Sequence, residues 1–215
     1  MNREPGAAVR RVETRPFEGQ KPGTSGLRKS VREFSQPHYL ENFVQAIFTT
    51  LGSEAREALV LGGDGRYGNR EAIQRILRQA AANGFRRGIV GRGGILSTPA
   101  ASCLIRKHGT NGGIILSASH NPGGPEGDFG IKFNGANGGP ATESVTAAIH
   151  GASGILDHYL TCDAPAIDLD RDGSNDLCGM QVDVIDPVAD YADLLETLFD
   201  FDALREMLGG GRFRM

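Results

Sequence analysis

The sequence predicts an α/β fold, a layered mixed sheet between helices, and three observations carry that prediction. Short apolar runs rich in β-branched residues, Leu59-Val60-Leu61, Gly113-Ile114-Ile115-Leu116 and Val182 to Ile185, read as buried strands. Between them, apolar residues recur at spacings of three and four, the period of a helix packed on one face. Glycine-rich turns separate the two patterns, and such strand–helix alternation is the signature of a layered α/β domain. At 215 residues the chain has room for one large domain or two small ones, with a sizeable core.

Taken in order, residues 1–11 read as a disordered extension. Val12 to Phe17 reads as an edge strand, because an edge tolerates Pro16. The loop Gly19 to Lys29 combines three glycines, the hydroxyls of Thr24 and Ser25, and Lys21, Arg28 and Lys29. Backbone donors and a forked guanidinium there suit a phosphate; a plain exposed turn is the alternative. Leu40, Phe43, Val44, Ile47, Phe48 and Leu51 define a first long helix. The strand Leu59–Leu61 ends in Gly62-Gly63-Asp64-Gly65-Arg66, which fits neither GxGxxG nor Gly-Lys-Ser/Thr. Asp64 and Arg66 are expected to form a structural ion pair or turn bonds. Asn69 is the expected cap of a helix burying Ile73, Ile76, Leu77, Ala80 and Ala81, with Gly84 ending it.

Arg87 to Gly91 reads as a strand, and Thr98 as the cap of a helix through Arg106 with Pro99 at its start. After the strand Gly113–Leu116 come a glycine-rich loop, a second strand Phe129 to Asn134, and a helix from Thr142 to His150. Residues 151–181 lose periodicity. Within them, Asp168 to Asp176 has the aspartate spacing of a calcium loop, yet Gly179 stands where a bidentate glutamate is required. Past the last strand, apolar positions from Val188 to Phe199 and Ala203 to Leu208 predict one long or two consecutive helices, ended by Gly209-Gly210-Gly211. The expected organisation is therefore a domain over 12–186 and a helical connection over 187–215.

Composition excludes several partners. A net charge of −3 gives no basic bias toward nucleic acid or an anionic membrane. No apolar run approaches the ~18 residues of a membrane helix, and the first fifteen residues lack the apolar centre of a secretory signal. A short organellar leader stays open. Cys103, Cys162 and Cys178 are odd in number without a CxxC spacing, which predicts free thiols in a reducing, cytoplasmic compartment and no zinc site.

The chemistry concentrates in Gly112 to Gly139, GGIILSASHNPGGPEGDFGIKFNGANGG. Ser119 and His120 follow a strand end, where open α/β sheets bind ligands, and Lys132 returns toward the same loop on the next strand. Ala118-Ser119-His120 is not GxSxG, so a serine hydrolase is disfavoured. Ser-Ala-Ser-His-Asn-Pro closely resembles the serine loop of the α-D-phosphohexomutases. Its continuation through Gly-Asp-Phe-Gly-Ile-Lys-Phe-Asn resembles the glucose-preferring phosphoglucomutase branch, with Ser117 in place of the more usual threonine. Lys-Pro-Gly-Thr-Ser-Gly-Leu-Arg-Lys resembles that branch's N-terminal loop, and Gly-Gly-Asp-Gly-Arg its first-domain turn.

The resemblance runs from about Val12 to the C-terminus and implies the first of four domains plus a connection to the second. It implies interconversion of glucose 1-phosphate and glucose 6-phosphate through glucose 1,6-bisphosphate, with Mg²⁺ as cofactor and sugar phosphates as partners. Ser119 would carry the phosphate and, through it, one metal ligand. Ser119, Lys132, His120 and Arg28 are the implied catalytic set; Thr24, Ser25, Arg28, Ser119 and Lys132 would contact substrate. Lys132 beside Arg28 is the candidate for proton transfer, since neighbouring positive charge lowers a lysine's pKa. Arg212 to Met215 resembles the opening of the second domain, so the family's Asp-Gly-Asp-x-Asp-Arg magnesium loop, sugar-selecting loop and last phosphate loop find no match. Asp168 to Asp176 shares that magnesium loop's aspartate spacing but lacks its glycine and final arginine. The 215-residue chain is accordingly expected not to sustain turnover alone. A non-catalytic, phosphoserine-bearing regulatory or sugar-phosphate-binding protein is the alternative.

Overall fold

The computed structural model describes residues 8–23 and 25–211. Its elements, in order, are β1 (Val9–Glu13), β2 (Leu27–Ser30), α1 (Val31–Phe34), α2 (Tyr39–Leu51), β3 (Ala58–Gly63), α3 (Asn69–Ala82), β4 (Arg87–Ile95) and α4 (Thr98–Lys107). There follow β5 (Gly112–Leu116), β6 (Asp128–Gly135), α5 (Glu143–Ser153), β7 (His158–Cys162), β8 (Gly173–Leu177), β9 (Met180–Ile185), α6 (Ala189–Leu198) and α7 (Phe201–Gly209). Seven strands form one mixed sheet in the order β2-β6-β5-β3-β4-β9-β8. Its centre, β5-β3-β4-β9, is parallel, and antiparallel strands flank it on both sides.

The alternation of side chains along each strand assigns the two layers. Leu59 and Leu61, Val90, and Ile114 and Leu116 face a large core with α2, α3 and α5. Val60, Ile89 and Ile115 face the other way, onto Ala100, Ala101, Leu104 and Ile105 of α4, where Tyr191 of α6 also packs. This is the layered mixed sheet that the apolar runs predict. β9 ends at Ile185 and α6 begins at Ala189, and neither α6 nor α7 buries a residue.

Several expectations are corrected. The first strand lies at Val9–Glu13, not from Val12 to Phe17, because its partner β7 sets its register: Val9 faces Cys162 and Glu13 faces His158. Arg10 and Arg11 therefore belong to a strand rather than an extension; residues 1–7 lie outside the described residues, as does Arg212 to Met215. α3 is capped by Gly68 in a left-handed turn, and Asn69 already lies in the helix. Its amide donates across to the Gly94 carbonyl at 3.0 Å. Ser97, not Thr98, caps α4 by accepting from the Ala100 amide at 3.2 Å. The aperiodic stretch after α5 holds β7 and β8. Cys162 and Cys178 form a disulfide, and only Cys103 among the cysteines is a free thiol. Spacing could not reveal that pair, because the end of β7 meets the β8–β9 turn only after the chain has crossed α3.

Candidate functional site

The topology picks out one end of the sheet. From β3 the chain passes through α3 to β4 on one side; from β5, the other neighbour of β3, it leaves the opposite way to β6. Connections leaving in opposite directions open a crevice at the carboxyl ends of β3 and β5, the place where open α/β sheets receive ligands. Asp64 follows β3 there, and its amide donates to the Leu116 carbonyl at the end of β5, at 3.0 Å.

Ser119 sits three residues past β5 with φ at 54°, a left-handed conformation that costs a non-glycine residue roughly 1–2 kcal/mol. The surrounding bonds hold it. Its amide donates to the Ser117 hydroxyl at 3.0 Å, and Arg66 donates to its carbonyl at 3.2 Å. The same guanidinium grips the Asp64 carboxylate at 2.9 Å and the Asp128 carbonyl at 2.6 Å. Arg66 thus ties the turn after β3 to both ends of the serine loop. Burial works to raise the Asp64 carboxyl, but hydrogen bonds from Arg66 and Ser117 outweigh it and hold the group below the usual carboxylate range.

Register brings the cations to this loop. Arg28 on β2 stands opposite Gly130 on β6, and Lys132, two residues on, lies on the same face. Gly130 leaves the gap that the loop enters: a Cβ there would lie 2.7 Å from the Ser117 carbonyl carbon. Arg28 donates to the Ser119 hydroxyl oxygen at 2.8 Å. Its Nε is buried with no hydrogen-bond partner, a charged donor kept out of water and unmet. Lys132 donates to the Thr98 hydroxyl at 3.0 Å. Burial, then the nearby Arg28, lowers the Lys132 pKa below the ordinary lysine value, with Asp64 opposing.

A cavity of about 120 Å³ opens between these groups, lined by Ser25, Arg28, Ser119 and Lys132 and backed by Phe43 and Ile149. The structure therefore brings together Arg28, Ser119, Lys132 and Ser25. His120 is exposed beside Ser119 and does not line the cavity. Thr24 lies outside the described residues. Three contributors escaped the sequence reading: Arg66, read only as a local ion pair, Ser117 as a loop brace, and Thr98, read as a helix cap. The partners of Arg66 and Thr98 lie far away in sequence, so no local pattern announces them.

The chemistry is that of an anion acceptor around a hydroxyl. A magnesium ion does not find its ligands here. Among the described residues there is no cluster of three His, Cys, Asp or Glu side chains that could hold a metal. Asp64 is committed to Arg66 and Asp128 to Asn121. In the aspartate run, Asp170 is held by Arg70 and Asp172 by Arg92. A phosphate on Ser119 would add metal-binding oxygens at this place.

The fold is an α/β/α domain with a left-handed serine bonded to an arginine, and a lysine of lowered pKa lining the same cavity. Comparison with known proteins gives it a family. Residues 19–154 match "Phosphoglucomutase/phosphomannomutase, alpha/beta/alpha domain I", and the chain belongs to that family. It is 57% identical over 203 residues to a phosphoglucomutase of Rhizobium radiobacter, covering 94% of this chain and 38% of that protein. It is 49% identical over 218 residues to the cytoplasmic phosphoglucomutase of Solanum tuberosum, covering 95% and 37%. Among solved structures it matches pp63/parafusin, a phosphoglucomutase from Paramecium in an open form. There the TM-score is 0.91 and the identity 47%, over 96% of this chain and 39% of that one. The chain thus spans less than two fifths of the length of these relatives.

Proposed function

We propose that this chain is the phosphoserine-carrying domain of a phosphoglucomutase, acting in the interconversion of glucose 1-phosphate and glucose 6-phosphate through glucose 1,6-bisphosphate. The observation that carries this reading is the Arg28 bond to the Ser119 hydroxyl, with a second, unmet Arg28 donor alongside. A phosphate on Ser119 brings about −1.5 to −2 charges. Arg28 and Lys132 offset that charge, and phosphoryl transfer depends more on such positioning and cations than on covalent chemistry. Lys132, with its lowered pKa, is suited to exchange a proton with the sugar hydroxyl that attacks or leaves. Ser25 and Arg28, with Thr24 as the preceding residue in sequence, receive the sugar phosphate; His120, exposed next to Ser119, contacts the phosphoryl group as it moves. Mg²⁺ would bind through the Ser119 phosphate and needs further oxygen ligands, since it prefers octahedral coordination.

Two of these inferences have separate supports. The family membership and the relatives' names support mutase chemistry and sugar-phosphate partners. The cytoplasm is proposed from the cytoplasmic relative, because the free-thiol argument falls with the disulfide. The missing carboxylate cluster among the described residues favours a second reading, a domain that carries phosphoserine without turning over by itself. The tests are phosphopeptide mass spectrometry and a coupled glucose 6-phosphate assay with Mg²⁺ and glucose 1,6-bisphosphate, with Ser119→Ala as control. Phosphate on Ser119 with no serine-dependent turnover is the expected result. Turnover at or above ~1 per second would show the chain self-sufficient, and a Ser119 that never carries phosphate would overturn both readings.

A further inference from the structure

We propose that the Cys162–Cys178 disulfide is a thiol-addressable latch that fastens a strap of chain along α3. The strap, residues 163–172, connects β7 to β8 and runs antiparallel to the helix. Arg78 donates to the Ala164 carbonyl at 3.0 Å. Gln74 donates to the Ile167 carbonyl at 2.8 Å and accepts from its amide at 3.0 Å. Arg70 forks onto Asp170 at 2.8 Å. Strap positions 164, 167 and 170 thus meet helix positions 78, 74 and 70, one helical turn at a time. Beyond them the Gly93 amide donates to the Leu169 carbonyl at 2.6 Å, pinning the strap to the end of β4. The disulfide closes this loop across a sequence separation of 16. It joins the two-stranded β1–β7 ribbon to the turn at the outer edge of the seven-stranded sheet.

The two sulfurs are not equivalent. Cys162 is 1% exposed, whereas Cys178 is half-buried in the β8–β9 turn. There Cys178 has φ at 56° and Gly179 at 84°, two successive left-handed residues, a turn that asparagine–glycine fills at less steric cost. A cysteine at that position is explained by its sulfur rather than by the turn. A dithiol reductant reaches this side first. Its thiolate attacks Cys178 Sγ, the disulfide breaks, and Cys162 leaves as a thiolate that takes up a proton. The reductant's second thiol then attacks the mixed disulfide and releases Cys178, closing its own disulfide. Two electrons and two protons pass to the protein. The strap then keeps its bonds to α3 but loses the closure that fixed both ends.

The experiment uses the whole chain with and without dithiothreitol. Reduction is expected to lower Tm by about 6–12 °C, the effect of opening a loop of this length in a chain of this size. Amide exchange should accelerate in 158–172 while β3 and β5 keep their protection. Brief alkylation of partly reduced protein should label Cys178 ahead of Cys162. Cys178→Asn, which keeps the left-handed turn, should match the reduced protein with or without dithiothreitol; Cys162→Ser provides an independent copy should one variant fail to fold. A Tm and exchange pattern indifferent to dithiothreitol, or three alkylated cysteines in unreduced protein, would overturn the latch.

Discussion

Lys132 and Asp64 show how single residues set the chemistry of the crevice. Lys132 titrates low because burial and Arg28 both disfavour its charge, so it is neutral at a lower pH than a solvated lysine. It should therefore react with an amine acylating reagent faster at about pH 8–9 than Lys107, whose bond to Asp190 raises its value. Mass spectrometry of lightly labelled protein measures the order; Lys107 reacting first would contradict the placement of Lys132. Asp64 behaves in the opposite sense. Its folded pKa is depressed, so its contribution to stability is present above the unfolded value of about 4 and is lost as pH falls through the lower folded value. Denaturant titrations of the wild type and Asp64→Asn should converge in that acid range and separate above it. Arg66→Lys keeps the charge but cannot serve Asp64, Asp128 and Ser119 at once, and should cost ~1–3 kcal/mol with faster exchange in the serine loop. The chemical groups at Arg28, Ser119 and Lys132 were legible from residue type and motif. The Arg66–Asp64 pair was legible too, but the Arg66 bonds to Ser119 and Asp128 were not, because a guanidinium's distant partners leave no trace in local sequence.

At the scale of elements, β6 and α4 position the site. β6 carries Lys132, and its Gly130 admits the serine loop; Gly130→Ala forces a Cβ to within 2.7 Å of the Ser117 carbonyl carbon. A cost of ~1–3 kcal/mol is expected from that overpacking, together with loss of the 2.8 Å Arg28–Ser119 bond. A thermal melt and a structure of the variant measure the two effects. The start of α4 separates two adjacent hydroxyls. Ser97→Ala should cost about 1 kcal/mol by removing the cap, whereas Thr98→Val should leave the helix intact and free Lys132. Equal destabilisation by both would restore Thr98 as a cap. The helices were visible as stripes of apolar residues, since a buried face must repeat with the helical period. Their exact caps were not, because Ser97 and Thr98 are both capping types and backbone geometry chooses between them.

For the whole molecule, the two-sided sheet decides what is secure and what is peripheral. α6 is tied to α4 through Asp190, which accepts from Lys107 at 2.7 Å, while Phe201, Leu204, Met207 and Leu208 of α7 are all exposed. A chain ending after Asp200 should therefore melt within about 2 °C of the full one, because residues without buried contacts contribute little; a larger fall in a calorimetric scan would show that α7 packs in solution. The sequence by itself determined the central strands, the helices, their layered arrangement and the types of groups in the crevice, since periodicity and motif are local properties of a chain. The tertiary structure alone decided the pairing of β1 with β7, the disulfide, the strap along α3, the bonds of Arg66 to Ser119 and Asp128 and that of Thr98 to Lys132. Each of these joins positions far apart in sequence, and only the closure of the sheet and the crossing of α3 brings such positions within bonding distance.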